Sequence, residues 1–323
     1  MADRNVMVYI ESVKGEPVKV GYEMLTPARE IAGGGKVTAA VMDSSADSIA
    51  NDAVSFGADE VITVDTGDFS AEKITSVLKS LADEHRPDVV LIGSTPAGRE
   101  IAPRLAARAG AGCVSDVSAV DCSGESPVYT TPLYGGTILN NVSAVTPLQV
   151  VTIRSGAFKK ADADASGSGD IKAETVEVPD SDLKTKITDS VVEISEQVNL
   201  EDAEIIVTGG KGMGSEEDFA LIQQLADVLG ATVGATRPVI EAGWVSRAHQ
   251  VGQSGKIVAP KLYMAFGVSG ATQHVTGMIG SDYIVAVNKD EEAPIFDVAD
   301  VGIVGDAKKV LPIFIEECKK IKA

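Results

Sequence analysis

Cysteine is scarce: Cys113, Cys122 and Cys318 are the only three in 323 residues. They are too few and too irregularly spaced for a disulfide framework or a CxxC metal site, which suits a reducing compartment and leaves each thiol a structural role. Clustered positive charge is missing as well. With 28 Lys and Arg against 47 Asp and Glu, and a formal net charge of -19, no cationic stripe offers itself to nucleic acid. No apolar run reaches bilayer-spanning length, so membrane insertion is not expected. The opening stretch "MADRNVMVYIESV" has neither an apolar signal core nor an Arg-rich amphipathic leader. The expected location is the cytoplasm.

What is present is apolar and periodic. Apolar residues make up 44% of the chain, enough for sizeable cores, and the length favours two domains. Strand-like runs at Val6 to Ile10, Lys36 to Met42, Glu60 to Val64 and Asp88 to Ile92 alternate with helical periodicity at Tyr22 to Ile31, Ala46 to Phe56 and Ala71 to His85. Short β-branched runs separated by helices of ten to fifteen residues indicate parallel βαβ units. From Ser126 to Ile153 the signal is extended and broken by Pro132, Gly135 and Gly136, which suggests antiparallel strands appended to the first sheet. The segment 160 to 170, "KADADASGSGD", reads as an exposed loop, and two more extended runs lie between Ile171 and Ile194. A second alternating pattern opens at "EIIVTGG". The expected domains are 1–198, a Rossmann-like parallel sheet with appended antiparallel strands, and 199–323, a doubly wound domain, with the boundary between 195 and 202.

The second half is rich in glycine turns after strands, and ligands of doubly wound sheets sit beyond the carboxyl ends of strands. In "VTGGKGMGSEEDF" the glycines are spaced G-x-G-x-G and miss the dinucleotide fingerprint. Ser215 and Asp218 look like a capping box opening a helix to Leu229, and Lys211 is either a phosphate or ribose partner or a solvated lysine. Gly255 and Lys256 tempt a P-loop reading, but Gln250 and Ile257 stand where that motif needs Gly and Ser or Thr. What remains is a polar loop of Gly252, Gln253, Ser254 and Gly255. Arg237, before Pro238, either faces an anion or forms a surface ion pair.

"FGVSGATQHVTGM", residues 266 to 278, puts Ala271 where a nucleophile elbow needs glycine, and His274 follows Ser269 by only five residues. That order does not suit a Ser-His-Asp triad. A strand-to-helix turn holding a phosphate suits it better, with Ser269 as donor or cap and Gly270 permitting close approach. His274 is then either a partner for a ring edge or a satisfied core histidine. Asn288 closes another strand with an amide that could read a nucleotide, and Asp306 is either a ribose partner or an N-cap.

Taken together, "GGKGMG", "GATRP", "HQVGQSGKIVAPKLYMAFGVSGATQHVTGM", "IVAVNKDEEAPIF" and "ADVGIVGD" closely resemble the alpha subunit of electron-transfer flavoproteins. The resemblance implies an FAD in the second domain and a beta-subunit partner in a heterodimer. By position it assigns Ser254 to the flavin N5 region, Arg237 to the ring and His274 to its O2 edge. Thr236, Val251, Gly252 and Gln253 would line the same cofactor. Ser269, Gly270, Ala271, Thr272 and Gln273 would surround the diphosphate and ribityl section, while Asn288, Asp306 and Ala307 would meet the adenosine half. Lys211 stands where arginine is common in the family. Aromatic content of only 4% leaves polar contacts to carry most of the selectivity for the ring. The implied role is electron carriage between a flavin dehydrogenase, typically an acyl-CoA dehydrogenase, and a downstream acceptor, with no catalytic protein nucleophile and no metal. The alternative is the electron-bifurcating, NADH-oxidising branch of the family, in which the partner carries a second FAD.

Overall fold

The computed structural model describes residues 3–44, 46–67, 69–164, 167–188, 200–201 and 203–322. The chain divides into two compact units, Met1–Ser190 and Val191–Ala323. The expected domain junction at 198/199 lies outside the described residues, as does the end of the second extended run expected before Ile194.

The first unit is built on β1 (Val6–Ile10), β2 (Val37–Val41), β3 (Glu60–Val64), β4 (Val89–Gly93) and β5 (Gly112–Val117), with helices α1 (Leu25–Ala32), α2 (Ala46–Ser55), α3 (Ala71–His85) and α4 (Pro96–Ala109). Alternation along β1 explains why a run without polar breaks is needed. Val6, Val8 and Ile10 pack with Leu25, Ile31 and Ile49 on one face, while Met7 and Tyr9 pack with Ile74, Leu78, Ile101 and Leu105 on the other. Both faces are covered, so every position of the strand is buried. Helix α3 begins where Ser70 accepts from the Lys73 backbone N–H and ends at Arg86 in a left-handed conformation.

Five further strands belong to this unit: β6 (Ala119–Asp121), β7 (Val128–Leu133), β8 (Ile138–Val142), β9 (Gln149–Ile153) and β10 (Asp170–Glu174). The antiparallel strands expected after Ser126 are β7 and β8, but they are not appended to the first sheet: β7 lies between β8 and β6 in a separate three-stranded antiparallel sheet. Gln149–Ile153 instead enters the large sheet in parallel between β4 and β5. The seven-stranded order is β10-β3-β2-β1-β4-β9-β5, all parallel.

The second unit is a five-stranded parallel sheet of β11 (Ile205–Gly209), β12 (Thr232–Ala235), β13 (Leu262–Phe266), β14 (Ile284–Asn288) and β15 (Val301–Val304) in the order β12-β11-β13-β14-β15. Its two faces are covered differently. Val207, Met264 and Phe266 pack under α5 (Glu216–Leu229) and the long C-terminal helix 307–322 through Phe219, Ile222, Leu225, Leu311 and Ile315. Each such aliphatic side chain contributes roughly 1.5–3 kcal/mol by leaving water. Ile206, Tyr263 and Ala265 on the other face lie against Val251, Val258, Val268, Met278 and Ile295, which belong to turns and loops rather than long helices. Among the described residues no helix is long and apolar enough to cross a membrane.

Candidate functional site

In the second unit β11 is flanked by β12 and β13, so the chain turns opposite ways as it leaves the carboxyl ends of β11 and β13. Such a switch point is where open parallel sheets receive ligands. Close backbone approach holds the two turns together. Gly210 N–H donates to the Phe266 carbonyl at 2.9 Å and Gly212 N–H to the Gly267 carbonyl at 3.0 Å. A Cβ on Gly210 would lie 2.2 Å from the Gly267 oxygen, so that position admits no side chain without moving the β13 turn. Thr236 N–H donates to the Gly209 carbonyl at 3.3 Å, and Val251 N–H to the Ala235 carbonyl at 3.0 Å, which fastens the 250–254 loop to the end of β12. Gln253 N–H reaches the Gln273 carbonyl at 2.7 Å. The Asn288 amide donates to the Val268 carbonyl at 2.8 Å, and Gly305 N–H to the Asn288 carbonyl at 2.9 Å. All the turns carrying the expected site residues thus converge on one edge of one sheet.

The β13 turn is the most open part of that edge. Among the described residues, the backbone N–H groups of Ser269, Gly270, Ala271, Thr272 and Gln273 have no acceptor within the chain. Five consecutive free donors at the head of a short helical turn, 272–275, form a cradle for an anion. Ser269, Ala271, Thr272, Gln273, Gln253, Ser254, Arg237 and Lys211 are all exposed around it. A diphosphate-bearing dinucleotide fits this donor set: backbone N–H groups for the phosphates, a hydroxyl at Ser254, and a guanidinium at Arg237.

Several residues are engaged otherwise than expected. Gly270 has φ +85°, and a Cβ there would come 2.1 Å from the Ile295 nitrogen, so its glycine serves approach of the 294–295 backbone rather than of a ligand. The Arg237 guanidinium bonds Glu241 at 2.7 Å on the protein surface, and Pro238 at the second position suits the helical turn 237–241. The Lys211 ammonium sits 4.0 Å from the centre of the Trp244 ring, a cation–π contact. Asp306 accepts from Lys308 N–H at 3.1 Å and so caps the last helix. The Asn288 carboxamide oxygen also accepts from Asp290 N–H at 3.0 Å. Val251 and Ala307 point their side chains into the cores, leaving only backbone for a ligand. Thr236 and Gly252 are buried.

His274 is 7% exposed and lies beneath the loop. Its Nδ1 is 3.1 Å from the Val251 carbonyl, which can only accept, so Nδ1 carries the proton. Its Nε2, 3.0 Å from the Tyr263 hydroxyl, then accepts from that group. Burial holds the imidazole down to about 4, only partly offset by the bond to Val251. His274 is therefore a neutral, internally satisfied histidine, and neither nitrogen is free for a ring edge. Sequence reasoning missed Tyr263, which is fully buried and whose hydroxyl pKa is pushed upward by burial. It also missed Gln250, whose amide donates to Ser254 at 3.0 Å. A histidine in an apolar stretch implies a buried polar partner, but nothing local says which strand supplies it.

Fold and site define a two-unit α/β protein whose second sheet presents a turn with five free backbone N–H groups at its switch point. Comparison with known proteins is specific: residues 6–181 match the electron transfer flavoprotein domain and residues 199–279 the electron transfer flavoprotein FAD-binding domain. The electron transfer flavoprotein subunit alpha of Thermoanaerobacterium thermosaccharolyticum is 40% identical over 99% of both chains. That of Bacillus subtilis is 39% identical over 98% of both. A chain of Anaerotignum propionicum named acryloyl-CoA reductase electron transfer subunit beta is 34% identical, covering 99% of this chain and 96% of its own. The chain belongs to the electron transfer flavoprotein alpha-subunit family.

Proposed function

We propose that the chain holds FAD at the carboxyl edge of the second sheet and carries electrons between a flavin dehydrogenase and a downstream acceptor, as a heterodimer with a beta subunit. The dehydrogenase class proposed is one acting on acyl-CoA, and the location is the cytoplasm. The observation that carries the reading is the run of five free N–H groups at 269–273, beside exposed Ser254 and Arg237.

Bound FAD would supply the redox chemistry; the chain's contribution is position and charge. The N–H groups of residues 269–273 would hold the diphosphate. Ser254, exposed while accepting from Gln250, keeps its own hydroxyl proton for a ligand acceptor. Arg237, released from Glu241, would bring positive charge to the ring and favour its anionic reduced form. Lys211 stays on Trp244 and contributes to the rim of the site.

Co-purification with the beta subunit should yield a yellow pair with FAD bound; a colourless pair that cannot be reconstituted removes the reading. Arg237→Ala should lower the midpoint potential by about 30 mV, equivalent to ~1.4 kcal/mol for a two-electron couple. Stability should move by less than about 0.5 kcal/mol, because the Arg237–Glu241 pair is exposed. An unchanged potential with FAD still bound contradicts the role given to Arg237. A second reading, NADH oxidation by a pair whose partner carries another FAD, is favoured by the kinship with the acryloyl-CoA reductase chain. One FAD per pair and no reaction with NADH would eliminate it.

A further inference from the structure

We propose that Tyr263 is a positioning residue: through neutral His274 it fixes the Val251 carbonyl and thereby the 251–254 turn that presents Ser254. The inference rests on the flavin reading for its functional end, and on geometry alone for its structural end. The turn has no long helix beneath it. Gly252 takes φ +139°, a conformation open to glycine and closed to side chains, and a Cβ there would lie 2.8 Å from the Gln273 oxygen. A glycine turn has many backbone conformations open to it, so it keeps one geometry only where bonds from its surroundings hold it.

Tyr263 supplies that determination from the floor of the sheet. It stands on the β13 face that the loops cover, and its hydroxyl donates to His274 Nε2. The donated bond leaves Nδ1–H as the tautomer, and Nδ1–H is what holds the Val251 carbonyl. Reversing either step breaks the chain: Nε2–H would face a hydroxyl that could accept it, but a bare Nδ1 would face a carbonyl that cannot donate. Thr208, on neighbouring β11, adds a second buried hydroxyl to the second sheet. Its hydroxyl is, among the described residues, the one buried side-chain oxygen without a hydrogen-bond partner. From Val251 the order passes outward, through Gly252 N–H to the Lys256 carbonyl at 3.1 Å and Gln253 N–H to Gln273 at 2.7 Å. Ser254 follows in the chain.

The test is Tyr263→Phe in the full chain, which removes one oxygen from a fully buried ring and keeps its shape. Nitrogen NMR of His274 should report Nδ1–H with a bare, hydrogen-bonded Nε2 in the parent, and a shifted Nε2 in the variant. Amide exchange at Gly252, Gln253 and Lys256 should quicken by about tenfold, the loss of one ordinary hydrogen bond, with the β11–β13 ladder unchanged. Both readings are made without cofactor. With FAD, the midpoint potential should shift in Tyr263→Phe and stay put when the same change is made on Ser254→Ala. An Nε2–H tautomer in the parent, or unaltered exchange at 252–256, overturns the pin. A potential that shifts equally on both backgrounds overturns the route through Ser254. Failure of the parent to bind FAD, with the exchange result intact, overturns the flavin reading and not the pin.

Discussion

The two units present the same kind of site in opposite conditions. In the first, the carboxyl ends of β1 and β4 form the switch point, and helix α4 begins beside it. There the chain supplies its own anion. Glu11, 8% exposed, accepts from the Thr95 hydroxyl at 2.5 Å, and Thr95 in turn accepts from Gly98 N–H at 2.9 Å as the N-cap of α4. Neighbouring pairs close the rest of the edge: Ser12 donates to Asp43 at 2.5 Å, and Asp116 takes Ser94 and Arg154. In the second unit, among the described residues, no side chain accepts from the five N–H groups of the β13 turn, which stay open. Fold alone therefore does not make a binding site; what differs is whether an internal carboxylate has already filled it.

The largest expected effect separates glycines that look alike in sequence. Gly270→Ala would put a Cβ against the Ile295 backbone at a positive φ, and should cost more than about 3 kcal/mol in denaturant unfolding. Gly57→Ala in the first unit also meets a positive φ, +103°, but has open space around it, and should cost ~1 kcal/mol. Equal costs would mean that the turn is held less tightly than the Gly270–Ile295 approach requires.

Next comes pH, where the units should part in sequence. His274 has its folded pKa depressed to about 4, so its contribution is complete above the unfolded value near 6.5 and is lost as pH falls through 4. The full loss is roughly 3 kcal/mol. In the first unit burial would raise Glu60, but Lys172 and Lys36 outweigh it and hold it low; Asp116 is likewise held low by Arg154 against burial. These carboxylates contribute above the ordinary carboxylate range and lose that contribution only as pH falls through their lower folded values. Trp244, the single tryptophan, lies in the second unit and reports on it alone. Its urea midpoint should drop between pH 6.5 and 4.5, and His274→Gln should flatten that slope. A midpoint constant over this range would contradict the neutral, buried histidine.

These contrasts also mark what was legible in the sequence. Local signals carried far: the helix expected at Ala71 to His85 is found at those residues, and Ser215 opens a helix ending at Leu229 by accepting from Asp218 N–H. The glycine turns expected from the sequence do gather at one edge of the second sheet. Pairing between distant segments was illegible. Gln149–Ile153 reads as one more strand of a meander, yet it docks in parallel beside β4, where every one of its positions is buried and both faces are covered. The partner of His274 was equally hidden, since Tyr263 looks like any aromatic in a β-rich run. Glu11 and Thr95 are 84 residues apart, and neither position announces that a carboxylate will accept from the capping hydroxyl of a distant helix.

An effect smaller than those at Gly270 and His274 tests that last pair. Glu11→Ala removes a buried acceptor and leaves the Thr95 hydroxyl and the head of α4 without their anion, at a cost of ~2 kcal/mol. If Glu11 stands where an external anion would otherwise sit, sulfate should restore part of the loss in the variant and do little for the parent. FAD content should be unchanged, because the second unit keeps its own turn. A variant as stable as the parent, with no response to sulfate, would show that Glu11 does not close the site. The two switch points would then differ for some reason other than an internal charge.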